Sequence, residues 1–91
     1  MSILHLVRTS AYQNDDLAQC LQVCAPTDSI ILLDEGCYNL THPLLSNISA
    51  SILAVEEHCT ARAVNCSAQQ QITIKDLTPL FFSHNSVITW Q

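Results

Sequence analysis

Five cysteines, four histidines and eight carboxylates stand beside only three basic side chains in this sequence, so thiol chemistry and acid–base chemistry are the first to consider. Cys20 and Cys24 have helical i, i+4 spacing, which puts both thiols on one face of a helix. Some metal sites use such pairs, but a structural zinc needs four ligands at recognisable spacing, and Cys59, Cys66 and His58 do not complete one. No metal or other cofactor is expected. Because the two thiols share a stripe with Leu17 and Leu21, they read as core or as an interface seam. The segment Asp34-Glu35-Gly36-Cys37-Tyr38 gathers two acids, a thiol and a phenol around the only glycine. Cys37 is thus a second, weaker thiol candidate. Its acidic neighbours raise a thiol pKa and argue against a nucleophile, so the alternative is a turn in which Gly36 supplies an unusual backbone angle and Cys37 packs inward. His58 follows Glu56-Glu57, whereas His5 and His42 have no carboxylate beside them in sequence. No nucleophile, base and orienter can be named from spacing, so no enzymatic activity is expected.

Composition excludes more. One glycine rules out a Gly-rich phosphate cradle, which needs several. A net charge of −5 is the wrong sign for gripping a phosphate backbone, so direct nucleic-acid binding is not expected. The start of the chain has no basic region before its short apolar run, and no stretch has the roughly 18 apolar residues of a membrane span. An odd cysteine count cannot pair fully within one chain. Three glycosylation-type triplets, at Asn39, Asn47 and Asn65, read as coincidence without an export signal. A cytoplasmic protein with reduced thiols is the expectation.

The elements that must carry these residues follow from patterning. Blunt aliphatic runs at Ile3–Val7, Ile30–Leu33, Ser51–Val55 and Gln71–Ile74 fit strands buried on both faces of a parallel sheet, and Val87–Trp90 adds a short last strand. A helix capped by Asn14 carries the stripe Leu17, Cys20, Leu21, Cys24 and ends before Pro26. A second helix covers Glu56 to Val64, with acids at its start and Arg62 near its end. A third runs from Thr78 to His84 with Pro79 in its first turn. Gly36 to Leu45 is irregular or a single helical turn. With strands and helices alternating along 91 residues, the expectation is one α/β domain over 1–91 with a small, mainly parallel sheet. In such a sheet the site belongs at the carboxyl ends of the strands, among Arg8 to Gln13, Asp34 to Tyr38, Glu56 to His58 and Lys75-Asp76.

Taken in order, these segments resemble the TusB/DsrH family of sulfur-relay proteins. The resemblance rests on Ile3-Leu4-His5-Leu6-Val7, the Arg8-Thr9-Ser10-Ala11-Tyr12 loop, and Leu17 to Leu21. It continues through Ser29 to Leu33, Asp34 to Tyr38, Ala54-Val55 leading to Ala61-Arg62, the Asp76 turn and Trp90. The resemblance implies a three-layer α/β/α sandwich and a subunit of a hetero-oligomer with TusC- and TusD-like proteins. Such a complex takes persulfide sulfur from TusA and passes it to TusE for 2-thiolation of the tRNA wobble uridine. Its main persulfide-bearing cysteine belongs to the TusD-like subunit. Some DsrH-type members carry a cysteine in the first helix, and Cys20 falls at that place. The resemblance therefore makes Cys20 the sulfur-carrying candidate, as a semi-exposed thiol, while its stripe position predicts burial. A DsrH-like carrier in oxidative sulfur metabolism, using Cys20 directly, and a self-associating α/β domain without sulfur chemistry are the alternatives. Phe81, Phe82 and Trp90 read either as interface anchors or as core.

Overall fold

The computed structural model describes residues 2–91. The chain runs β1 (Ile3–Val7), α1 (Asp16–Val23), β2 (Ser29–Leu32), a 3-10 segment (Asp34–Thr41) and a 3-10 turn (Pro43–Leu45). It continues with β3 (Ser51–Val55), α2 (Glu56–Ala61), a 3-10 turn (Ala68–Gln70), β4 (Gln71–Ile72), α3 (Ile74–Ser83) and β5 (Ser86–Trp90). All strand pairs are parallel, in the order β4-β3-β2-β1-β5.

That order fixes the layers. From β1 to β4 the chain steps in one direction, so right-handed crossovers place α1, the 3-10 segment and α2 on one face. The return from β4 to β5 reverses direction, and the same handedness sends α3 across the opposite face. Two cores result. Val7, Ile30, Leu32 and Ala54 meet Leu17, Cys20, Cys37 and Cys59 on the first face. Leu4, Leu6, Ile31 and Val55 meet Leu77 and Leu80 of α3 on the second. The three-layer sandwich is thus present, with one helix making up the entire second layer.

Local chemistry explains the boundaries. Asn14 acts one position ahead of the N-cap of α1: its Oδ1 accepts the Asp16 N–H at 3.1 Å, while Asp15 makes no side-chain cap bond. The helix ends at Cys24, whose extended backbone precedes Ala25 and Pro26. The last helix departs from the expected range. Thr73 caps it by accepting the Asp76 N–H, so α3 starts at Ile74, and β4 is cut to two residues. Pro79 therefore lies inside the helix, beyond its first turn, where it removes one backbone hydrogen bond. Gly36 corrects a second expectation. No glycine has a positive φ, whereas Asp34 does, at 52°. Gly36 is needed for space, because a Cβ there would lie 2.0 Å from the Val7 carbonyl oxygen.

Candidate functional site

At the carboxyl end of the sheet, the expected loops do come together. Arg8 Nε donates to Asp34 Oδ2 at 2.7 Å and its Nη1 to Gln91 Oε1 at 2.6 Å. The Asp34 N–H donates to His58 Nδ1, and Arg62 reaches both Glu35 and the His58 carbonyl. Hydrogen bonding to Arg8 outweighs burial and holds the Asp34 carboxyl below its ordinary range, with His58 and Arg62 assisting. Strand order reverses between β1 and β5, the place where a ligand crevice opens in such sheets. Arg8 fills it. The loop after β1 is tied down by Asn39, fully buried, whose Oδ1 accepts the Ala11 N–H and whose Nδ2 donates to the Thr9 carbonyl. This end is a set of ion pairs over a sealed thiol, in which the buried Nε of Arg62 alone lacks a hydrogen-bond partner among the described residues. Cys37 is buried, its pKa pushed up to about 12 by desolvation and by neighbouring Cys59.

A different cluster occupies the amino end. Parallel register sets Asp28, just before β2, beside Ile3. Its Oδ1 accepts the Ile3 N–H at 2.9 Å, and its Oδ2 accepts the Ala25 N–H and the His5 Nε2–H, both at 3.0 Å. Trp90 Nε1–H donates to His5 Nδ1 at 3.1 Å. An indole nitrogen only donates, so Nδ1 is the acceptor and the ring proton sits on Nε2, facing Asp28. Burial pushes the Asp28 carboxyl upward, but the bonds from Ala25, His5 and Ile3 outweigh it and leave the pKa lowered. Ligand-type atoms of His5, Cys24 and Asp28 lie within 4.8 Å of one another. They do not fit a metal ion, because both ring nitrogens of His5 are already engaged.

Accessibility sorts the five thiols, all of them unpaired. Cys20, Cys37 and Cys59 are buried; Cys24 and Cys66 are half-buried. Cys20 is 0% exposed, so the semi-exposed thiol expected from its family position is corrected in favour of the stripe position. Desolvation, then Cys24 and Asp28, push its pKa up to about 12. Cys24 lies one turn further along, on the lip of a cleft of about 130 Å³ between the end of α1 and the approach to β3. Leu21, Pro26, Asn47 and Ile48 line it too. Among the aromatic candidates, Phe82 is 86% exposed, Phe81 is at the margin of exposure, and Trp90 is half-buried against the first core.

The sequence profile described as DsrH like protein matches residues 9–87. The chain belongs to the DsrH-like family. Members of this family serve sulfur relay and work with other subunits. No curated protein matches the chain. A solved structure with the same fold is the solution NMR structure of protein Tm0979 from Thermotoga maritima. It aligns with a TM-score of 0.64 at 19% identity, over 91% of this chain and 93% of that one. Among the described residues of the DsrH-like chain, no helix is long and apolar enough to cross a membrane.

Reading the sequence missed His5, Asp28 and Asn39. No local signal joins His5 to a carboxylate 23 residues away; only strand register does. Asn39 could be found only by asking what holds the loop after β1.

Proposed function

We propose that this DsrH-like chain is a TusB-like subunit of a hetero-oligomer with TusC- and TusD-like sisters. The assembly passes persulfide sulfur from TusA to TusE, on its way to the wobble uridine of tRNA, in the cytoplasm. The chain has no turnover of its own, and the RNA is handled elsewhere. The observation that carries this reading is family membership over 79 of the 91 residues, counted from positions 9–87. The interior supports it: Cys20 and Cys37 are sealed, as suits a subunit whose partner bears the main persulfide. The exposed apolar side chains of Ile74 and Phe82 on α3, with Val87 on the same face of β5, supply a surface for a sister subunit. Burial of Cys20 weighs against the alternative of a carrier that uses Cys20 directly in sulfur oxidation.

The test is deletion of the gene followed by analysis of tRNA nucleosides, with affinity purification of the tagged chain. Loss of 2-thiouridine and recovery of both sister subunits are expected. Normal 2-thiouridine in the deletion strain, or a tagged chain that comes down alone, overturns the reading.

A further inference from the structure

We propose that Cys59 and Cys66 form an oxidation site: a small disulfide such as oxidised glutathione enters at Cys66, and Cys59 closes the intrachain bond. The site lies at the end of α2 and does not rest on the relay reading above.

The path of the chain brings the two thiols together. Cys59 lies in the last turn of α2, whose end cap is Arg62. The Cys59 carbonyl accepts the Arg62 N–H at 3.1 Å and the Val64 N–H at 2.9 Å, and Ala63 between them takes a left-handed φ of 55°. Such a turn doubles the chain back over the helix end. Burial then alternates: Arg62, Val64 and Cys66 are half-buried, whereas Ala63, Asn65 and Ser67 are exposed. Alternation of this kind puts Val64 and Cys66 on one side of an extended segment. Both pack against the first core, whose buried members include Cys37 and Cys59. Cys59 is the shared neighbour, its side chain acting on Cys37 and on Cys66 alike. Of these three, Cys66 alone is half-buried, and its thiol donates to the Ser67 carbonyl in an exposed bond of 3.6 Å. An oxidant therefore meets Cys66 first, with Cys59 behind it.

The surroundings suit a disulfide better than a free thiolate. Burial raises the Cys66 pKa most, and Cys59 and Glu56 add to the rise. None of these effects opposes an uncharged S–S bond. A couple whose thiolates are not stabilised holds its disulfide more firmly against reduction. Arg62 has a buried Nε–H without an acceptor, and its charge acts on Cys37 beside Cys59. It is a cation placed near the negative charge that develops on sulfur during exchange. The exchange balances in two steps. The Cys66 sulfur attacks one sulfur of glutathione disulfide, and a mixed S–S bond forms. The other glutathione leaves with the bonding pair and takes up the Cys66 proton. The Cys59 sulfur then attacks the Cys66 sulfur and expels the second glutathione, which takes up the Cys59 proton. Two protein thiols are oxidised as one small disulfide is reduced to two thiols.

Wild type, Cys59→Ser and Cys66→Ser are each reduced, freed of reductant and incubated under native conditions with oxidised glutathione. Remaining thiols are then alkylated, and peptides are mapped without reduction. Wild type should lose both thiols of the pair to a Cys59–Cys66 cross-link within one chain. Cys59→Ser should stop at a glutathione adduct on Cys66. Cys66→Ser should show no cross-link and no adduct at Cys37 or Cys59. Free Cys59 and Cys66 thiols in treated wild type overturn the proposal, as does a glutathione adduct that stays on Cys66 without closing. So does a Cys37–Cys59 bond in place of the expected one, or a disulfide between two chains. Thermal melts separate lost reactivity from lost folding. If Cys59→Ser does not fold, the wild-type map and Cys66→Ser, altered at a half-buried position, decide alone. The two readings fail separately. Absence of the cross-link leaves the relay reading standing, and normal 2-thiouridine in the deletion strain leaves the cross-link standing.

Discussion

Replacing Asp28 by Asn tests the amino-end cluster, because it keeps the shape and removes one acceptor. The carboxylate accepts three hydrogen bonds: one from the Ile3 N–H on Oδ1, two from Ala25 N–H and His5 Nε2–H on Oδ2. Asn offers a single acceptor oxygen. Its best orientation turns that oxygen toward Ala25 and His5 and points its NH₂ at the Ile3 N–H, leaving a part-buried donor facing a donor. His5 cannot relieve the clash of the opposite orientation, since Trp90 holds its proton on Nε2. One orphaned donor costs about 1–3 kcal/mol, and two bonds lose their charge assistance, so a loss of about 2–3 kcal/mol is expected. With a urea slope near 1 kcal/mol/M for a small domain, the midpoint should fall by about 2–3 M. The single Trp90 reports unfolding from within the cluster. Because the folded pKa of Asp28 is lowered, its stabilising contribution is complete above the unfolded value and is lost as pH falls through the folded one. The gap between wild type and Asp28→Asn should therefore be constant from pH 7 to about 5 and narrow below about pH 4. A variant within about 0.5 kcal/mol of wild type at pH 7, the ordinary scatter of surface substitutions, would refute the reasoning. So would a gap that stays constant down to pH 3.

Three further outcomes are expected. Gly36→Ala should lower the unfolding free energy, read by urea titration, by at least the roughly 1–3 kcal/mol of overpacking, because the added Cβ meets backbone at Val7 that cannot swing aside. Under native conditions a small alkylating reagent should label Cys24 and Cys66 and leave Cys20, Cys37 and Cys59 until urea is added; rapid native labelling of Cys20 would contradict its burial. Phe82→Ser should change monomer stability by less than about 0.5 kcal/mol, since the ring is 86% exposed, yet reduce recovery of the sister subunits in a pull-down.

How much of this was legible in the sequence depended on range. Ile3–Val7 and Ser51–Val55 emerge as strands with their expected bounds, because blunt aliphatic runs in a sheet covered on both faces are a local signal. Gln71–Ile74 reads as one strand, but Thr73 gains more by capping α3 than by pairing, so the strand stops at Ile72. Pro79 invites a helix start at Thr78; the helix begins four residues earlier and tolerates the proline on an element with no fully buried residue. What occupies each end of the sheet is set at longer range. The loops expected at the carboxyl ends of the strands do meet, where Arg8 bonds to both Asp34 and Gln91. Half-buried Cys24 and the cleft it lines lie at the other end, beside a His5–Asp28 pair that exists only once the sheet is in register.

The uneven dressing of the sheet has a consequence in time. α3 alone covers the second face, has no fully buried residue and carries an interior proline, while α1, α2 and the 3-10 segment clamp the first. Local opening follows the least-buried element, so the amides of α3 should exchange with solvent well before those of β1 and β2. A sister subunit seated over Phe82 would close that opening as it binds. Assembly would then be recorded in this chain as slower exchange along α3 before any thiol has reacted.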